Sequence, residues 1–197
     1  MCPTRQAVAL VAALVAIVAS PSVAQEWTEY VNRTERFSIN FPGTPSVREF
    51  TYQPQRGKPV PAREFVVQDG TRRYSVTVVD LATINQPSDV KGAIAWEAWH
   101  VRQRGGEITY DAFAQVDRID GHQLHITNPD KSVSFVGIYQ HARRLYILEA
   151  LVPPGTPGAV HFEQSLMILD EDGKRIRYEL DNDGNRLFRI TDLADVC

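Results

Sequence analysis

The sequence predicts an α+β protein in which an antiparallel β-sheet carries two helices and a β-hairpin extends the C-terminus. Three observations predict it. Apolar residues alternate with period two over most of the chain, as where Phe37, Ile39 and Phe41 point one way and Ser38 and Asn40 the other. Two stretches, following Pro87 and following Pro153-Pro154-Gly155, change to helical spacing. From Leu169 onward a short unit repeats after eleven residues: Asp170-Glu171-Asp172-Gly173 recurs as Asp181-Asn182-Asp183-Gly184. Each copy places an Asp-Gly turn before a short strand-forming run.

The chain opens with one positive charge at Arg5, an apolar stretch over residues 7–19, and small residues at Ser22 and Ala24. This is the pattern of a secretory signal peptide over residues 1–24, cleaved before Gln25; the competing reading is a short membrane anchor. No other apolar run approaches the roughly 18 residues needed to cross a bilayer. Of the two cysteines, Cys2 would leave with the signal, so the mature chain would keep Cys197, which either stays free or pairs between chains. With 43% hydrophobic and 23% charged residues, the remainder has the composition of a globular domain rather than a fibre or a disordered tail. Loss of Arg5 leaves 20 Lys and Arg against 24 Asp and Glu, a mild acidity that argues against nucleic acid as a partner.

Residues 27–81 read as strand-rich. The runs 63–68 and 74–79 face each other across Asp69-Gly70, a dipeptide that tolerates positive φ and closes tight hairpins. Pro54, Gly57, Pro59 and Pro61 mark an exposed loop between strands. The long helix begins at Pro87-Ser88-Asp89, where Ser88 can cap free backbone N–H groups, and ends at Gly105-Gly106. Val90, Ala93, Ile94, Ala98 and Val101 form its buried face, and Trp99 projects from the opposite side. Four strands are expected over 110–119, 122–127, 133–139 and 145–152, the last pair joined by a hairpin at 140–143. A second helix is expected over 158–168 with Ala159, Phe162, Leu166 and Leu169 as its buried row.

Two segments carry a resemblance. Trp27-Thr28-Glu29-Tyr30 followed by Arg36-Phe37-Ser38-Ile39-Asn40-Phe41-Pro42 resembles the opening of the PsbP-like family and its Mog-type relatives. Leu145-Tyr146-Ile147-Leu148, then Pro153-Pro154, then Phe162-Glu163-Gln164-Ser165-Leu166, resembles that family's closing strand and helix. The likeness spans about residues 26–169, so that residues 25–169 would be the domain and 170–197 an acidic extension without a counterpart. It implies an α-β-α sandwich, an antiparallel sheet flanked by helices on both faces. It also implies a non-catalytic accessory or binding role, and none of the family's partner-binding residues has a motif here.

The catalytic and metal-like patterns are each better explained without chemistry. Ser88-x-x-Lys91 has acyl-enzyme spacing but lacks its companion motifs, and a capping role accounts for Ser88. His122-x-x-His125 resembles a metal pair, yet on a strand residues three apart face opposite sides, and His122 would share its face with Leu124 and Ile126. In the extension, Asp181, Asp183 and Gly184 fall at calcium-loop offsets, but Ile190 stands where the bidentate carboxylate belongs. No motif implies a cofactor. The sequence therefore predicts an exported, periplasmic or secreted, non-catalytic binding module with a protein partner, its surface offered by Trp99 and the basic pairs Arg72-Arg73 and Arg143-Arg144, with Arg102 and Arg104 a third cluster. The alternatives are a hydrolase with an unrecognised site and a small-ligand or calcium-binding protein. Self-association through the extension is a further expectation, and in a eukaryotic host Asn32-Arg33-Thr34 would accept a glycan.

Overall fold

The computed structural model describes residues 27–189. The leader expected over residues 1–24, and the end of the extension over 190–197 with Cys197, lie outside the described residues. In chain order the elements are β1 (Thr28–Asn32), β2 (Phe37–Phe41), β3 (Ser46–Tyr52), β4 (Val60–Asp69), β5 (Arg72–Asp80), α1 (Pro87–Gln103), β6 (Glu107–Val116), β7 (Ile119–Thr127), β8 (Val133–His141), β9 (Arg144–Val152), α2 (Val160–Glu163), β10 (Met167–Ile168), β11 (Tyr178–Leu180) and β12 (Arg186–Arg189).

Seven strands form one antiparallel sheet in the order β3-β4-β5-β9-β8-β7-β6. Its long hairpins follow from turn chemistry. Asp69 pairs with Arg72 across Gly70, whose φ of +57° suits glycine, while Asp117-Arg118 and Ala142-Arg143 make equally tight turns with both residues at positive φ. On one face α1 lies across the sheet, burying Val90, Ala93, Ala98 and Val101 against Leu124, Ile126, Val136, Ile138 and Leu145. On the other face lies a second, three-stranded sheet, β1-β2-β10, whose Phe37, Ile39 and Phe41 pack with Phe65, Val76, Tyr146 and Phe162.

This arrangement overturns the α-β-α sandwich that the family resemblance implied. Strands take up 51% of the described residues and helices 13%, and the second face is covered by a sheet, so the fold is β-sandwich-like with one helix on its outside. The helix expected over 158–168 is a single turn at α2. Ser165 ends it: its hydroxyl donates to Phe162 O at 2.9 Å and accepts the Asn40 N–H at 3.0 Å, a local alternative to the helical ladder. Met167 and Ile168 then pair with Ser38 and Phe37. The row that would have been a helical face, Ala159, Phe162, Leu166 and Leu169, is buried all the same.

The extension starts against the small sheet. Leu169 bridges Arg175, and Ile176 donates its N–H to Ile168 O at 2.8 Å. Both repeats fold alike: the Asp170 carboxylate accepts the N–H groups of Asp172 and Lys174, and the Asp181 carboxylate those of Asp183 and Asn185. The second repeat forms the turn between β11 and β12.

Candidate functional site

The outer side of α1 carries the most distinctive surface among the described residues. At 3.6 residues per turn, Gly92, Ala95, Trp96 and Trp99 fall on one stripe. The two indoles stack at 5.1 Å with 13° between their planes, and His100 lies edge-on to Trp96 at 4.3 Å. Trp96 is held by donating its indole N–H to Gln53 O at 3.3 Å, whereas Trp99 is 47% exposed. Gly92 and Ala95, being small, leave a shallow depression of about 390 Å³ beside the rings, closed at one side by Gln55.

Beneath the stripe the helix is fixed by a buried acid. Glu97 accepts the Tyr52 hydroxyl at 2.8 Å and lies 3.6 Å from Arg104, which also grips Glu149 at 3.0 Å. Burial, together with the Glu97 carboxylate, raises the Tyr52 phenol well above its ordinary range. These bonds lock α1 to the central sheet from below, so that the aromatic side faces outward on a rigid element.

The two histidines of β7 point to opposite faces. His122 lies on the α1 side against Asp111, which Arg102 holds by two bonds of 2.7 and 2.8 Å. The Arg102 guanidinium first, and His122 after it, bring the Asp111 carboxyl down to about 2. His125 lies on the other side, 3.2 Å from the buried Glu163 of α2, between the rings of Tyr110 and Phe135. Tyr139 is buried nearby and accepts the Gln123 amide at 3.2 Å; desolvation pushes its phenol up to about 12. The His125–Glu163 pair is a carboxylate-oriented imidazole, yet the nearby Thr109 hydroxyl donates to the His125 backbone carbonyl at 3.3 Å rather than bonding to the ring. No group of three or more His, Cys, Asp or Glu side chains able to hold a metal occurs among the described residues.

The basic pairs are separate and engaged. Register sets Arg73 opposite Leu151 and Asp80 opposite Arg144, so the β4–β5 and β8–β9 turns lie at opposite ends of β5, about 24 Å apart at 3.4 Å per residue. Arg72 faces Asp69 at 3.9 Å, and Arg73 is bound to Glu64 and to the Ser75 hydroxyl. Arg143 donates to Ile84 O at 2.7 Å and pins the loop ahead of α1. Arg144 reaches Thr34 O at 3.3 Å and Glu35 at 3.8 Å, at the rim of a cleft of about 350 Å³ where Arg63 also binds Glu35 and Glu49. Trp99 is thus the one expected surface residue that the structure joins to an extended outward-facing group, and Trp96 is the partner that the sequence reading passed over. The i, i+3 spacing of the two tryptophans was the available clue.

No family model, no curated protein and no solved structure matches this chain.

Proposed function

We propose that the chain is an exported, non-catalytic binding module, working in the periplasm or outside the cell, whose contact surface is the aromatic stripe of α1. The observation that carries the reading is the stacked, outward Trp96–Trp99 pair on a helix anchored from below by Glu97. Large rigid aromatics lose little conformational freedom on binding and so make effective contact anchors. The leader pattern over residues 1–24 supports the export part of the reading. No helix of the described residues is long and apolar enough to cross a membrane.

The test is partner capture from the native host by the mature protein, with Trp99→Ala and the double variant W96A/W99A as controls. A partner retained by the wild type and lost by the double variant, with unchanged thermal stability, supports the reading. Equal capture by all three would refute the α1 surface. A protein retaining residues 7–19 in its native mass would refute export in soluble form.

The hydrolase alternative has one observation in its favour, the His125–Glu163 pair. Loss of a hydrolytic activity in Glu163→Gln at unchanged stability would favour it over the binding module.

A further inference from the structure

We propose that this chain pairs with a second copy of itself along β6, joining the two seven-stranded sheets edge to edge about a two-fold axis at Ala112. The central sheet has two edges, and they differ. On β3, Arg48 and Glu49 are tied at 2.9 Å to Glu64 and Arg63, so an approaching strand meets charge on both faces. β6 runs for ten residues without Lys, Arg or Pro and exposes Ile108, Tyr110 and, at 91%, Phe113. An unguarded strand of this length is a template for further pairing.

The hydrogen-bonding sense of β6 follows from its turn. Val116 pairs with Ile119 around Asp117-Arg118, both at positive φ, which makes a two-residue hairpin closed by a hydrogen-bonded pair. Counting back by twos, Ala114, Ala112 and Tyr110 bond inward to β7, and Asp111, Phe113 and Gln115 turn their N–H and C=O groups outward. Beyond Tyr110 a bulge at Thr109 shifts the register and limits how far pairing extends.

Opposed residues in an antiparallel pair share a face, and a second copy satisfies this with complementary sizes and charges. With the axis at Ala112, Tyr110 stands opposite Ala114 of the second copy, large against small, while Ala112 meets its own equivalent. On the other face Asp111 stands opposite Phe113 of the second copy. Asp111 is already neutralised by Arg102, and a guanidinium–carboxylate plane is a favourable neighbour for an aromatic ring. Moving the axis to Asp111 would oppose two carboxylates instead. The contact is isologous and closes at two copies, with both α1 helices on one side of the joined sheet.

Sedimentation equilibrium on the full chain should show a dimer at about 100 µM. Phe113→Lys should raise the dissociation constant at least about tenfold, since a charge directly at the pairing strand is a natural guard, with circular dichroism and melting temperature unchanged. Ala112→Cys, with both native cysteines replaced by serine, should cross-link under mild oxidation because directly opposed residues come within about 4.5–5.5 Å. Phe113→Cys in that background should cross-link more slowly. A monomer at that concentration, a dimer indifferent to Phe113→Lys, or faster cross-linking through Phe113→Cys would each overturn the proposal.

Discussion

The repeated unit of the extension contains its own control experiment. Ile176 and Leu187 occupy equivalent positions in the two copies, eleven residues apart, yet Ile176 is 2% exposed and Leu187 57%. Ile176 belongs to the core under the small sheet, and its neighbour Arg175 binds Asp117 by two bonds of 2.6 and 2.8 Å. Ile176→Ala removes three buried carbons. At about 0.8 kcal/mol each this is about 2.4 kcal/mol of transfer free energy, and the cavity left behind brings the expected loss to about 3 kcal/mol. Leu187→Ala should change stability by less than about 0.5 kcal/mol, as exposed substitutions do. Urea unfolding followed by tryptophan fluorescence reads both: the first variant should shift the midpoint with the slope unchanged, the second should not move it. Equal, small effects would show that the extension does not share the domain's cooperative unit. Equal, large effects would show that the second repeat docks as firmly as the first.

Three further outcomes follow from the geometry. Asp111 has its carboxyl lowered from an ordinary 3.8 to about 2, so its pairing with Arg102 stabilises the fold above pH 4 and is lost as pH falls from about 4 to about 2. Solvent screening at this partly exposed site limits the contribution to about 1 kcal/mol, and Asp111→Asn should flatten the stability curve over that window by this amount. Gly121→Ala should destabilise by about 3 kcal/mol or more in thermal melts, because a Cβ there would lie 2.2 Å from Tyr139 Cδ1 and 2.6 Å from Ile138 O, and Tyr139 is only 3% exposed. Ser165→Ala should cost about 1–2 kcal/mol by chemical denaturation, since it leaves the Asn40 N–H without its acceptor at the point where α2 gives way to β10.

What was legible in the sequence was local. Asp69-Gly70 announced its hairpin because glycine reaches positive φ at no steric cost, and the apolar spacing of Val90, Ala93, Ala98 and Val101 gave the buried face of α1. The helix start was displaced by two residues: Pro87 occupies the first turn, so Gln86 is the cap and Ser88 lies inside, without the capping bond expected of it. The turn at Ala142-Arg143 carries no glycine and was marked only by the strands on either side, whereas Asp117-Arg118 falls inside the strand expected over 110–119; the break is expected ahead of His122, where Gly121 in fact lies within β7. The layer order was not legible, because alternation in β1 and β2 shows that each buries one face without showing which element the face meets. The structure answers with the central sheet, and a sheet therefore stands where the family resemblance implied a helix.

The same limit governs the surfaces. Glu97 falls on the inner side of a helix whose other inner residues are apolar, which the helical period could have flagged as a buried acid needing partners; the partners themselves, Tyr52 and Arg104, come from a distant strand and the helix end. Glu163 and His125 are 38 residues apart in sequence and meet only because α2 packs over β8 and β9, next to β7 in the sheet. Phe113 carries no signal of its own within the strand expected over 110–119. It acquires meaning only when the strand order places β6 at an edge, with its backbone groups outward and, between the bulge at Thr109 and the turn, no charge of its own except Asp111, which Arg102 holds. Exposure on a strand is common. Exposure of a bare aromatic on the single unguarded edge of a seven-stranded sheet is a demand for a partner strand, and of the strands described here β6 itself meets it with matched sizes and no opposed charges.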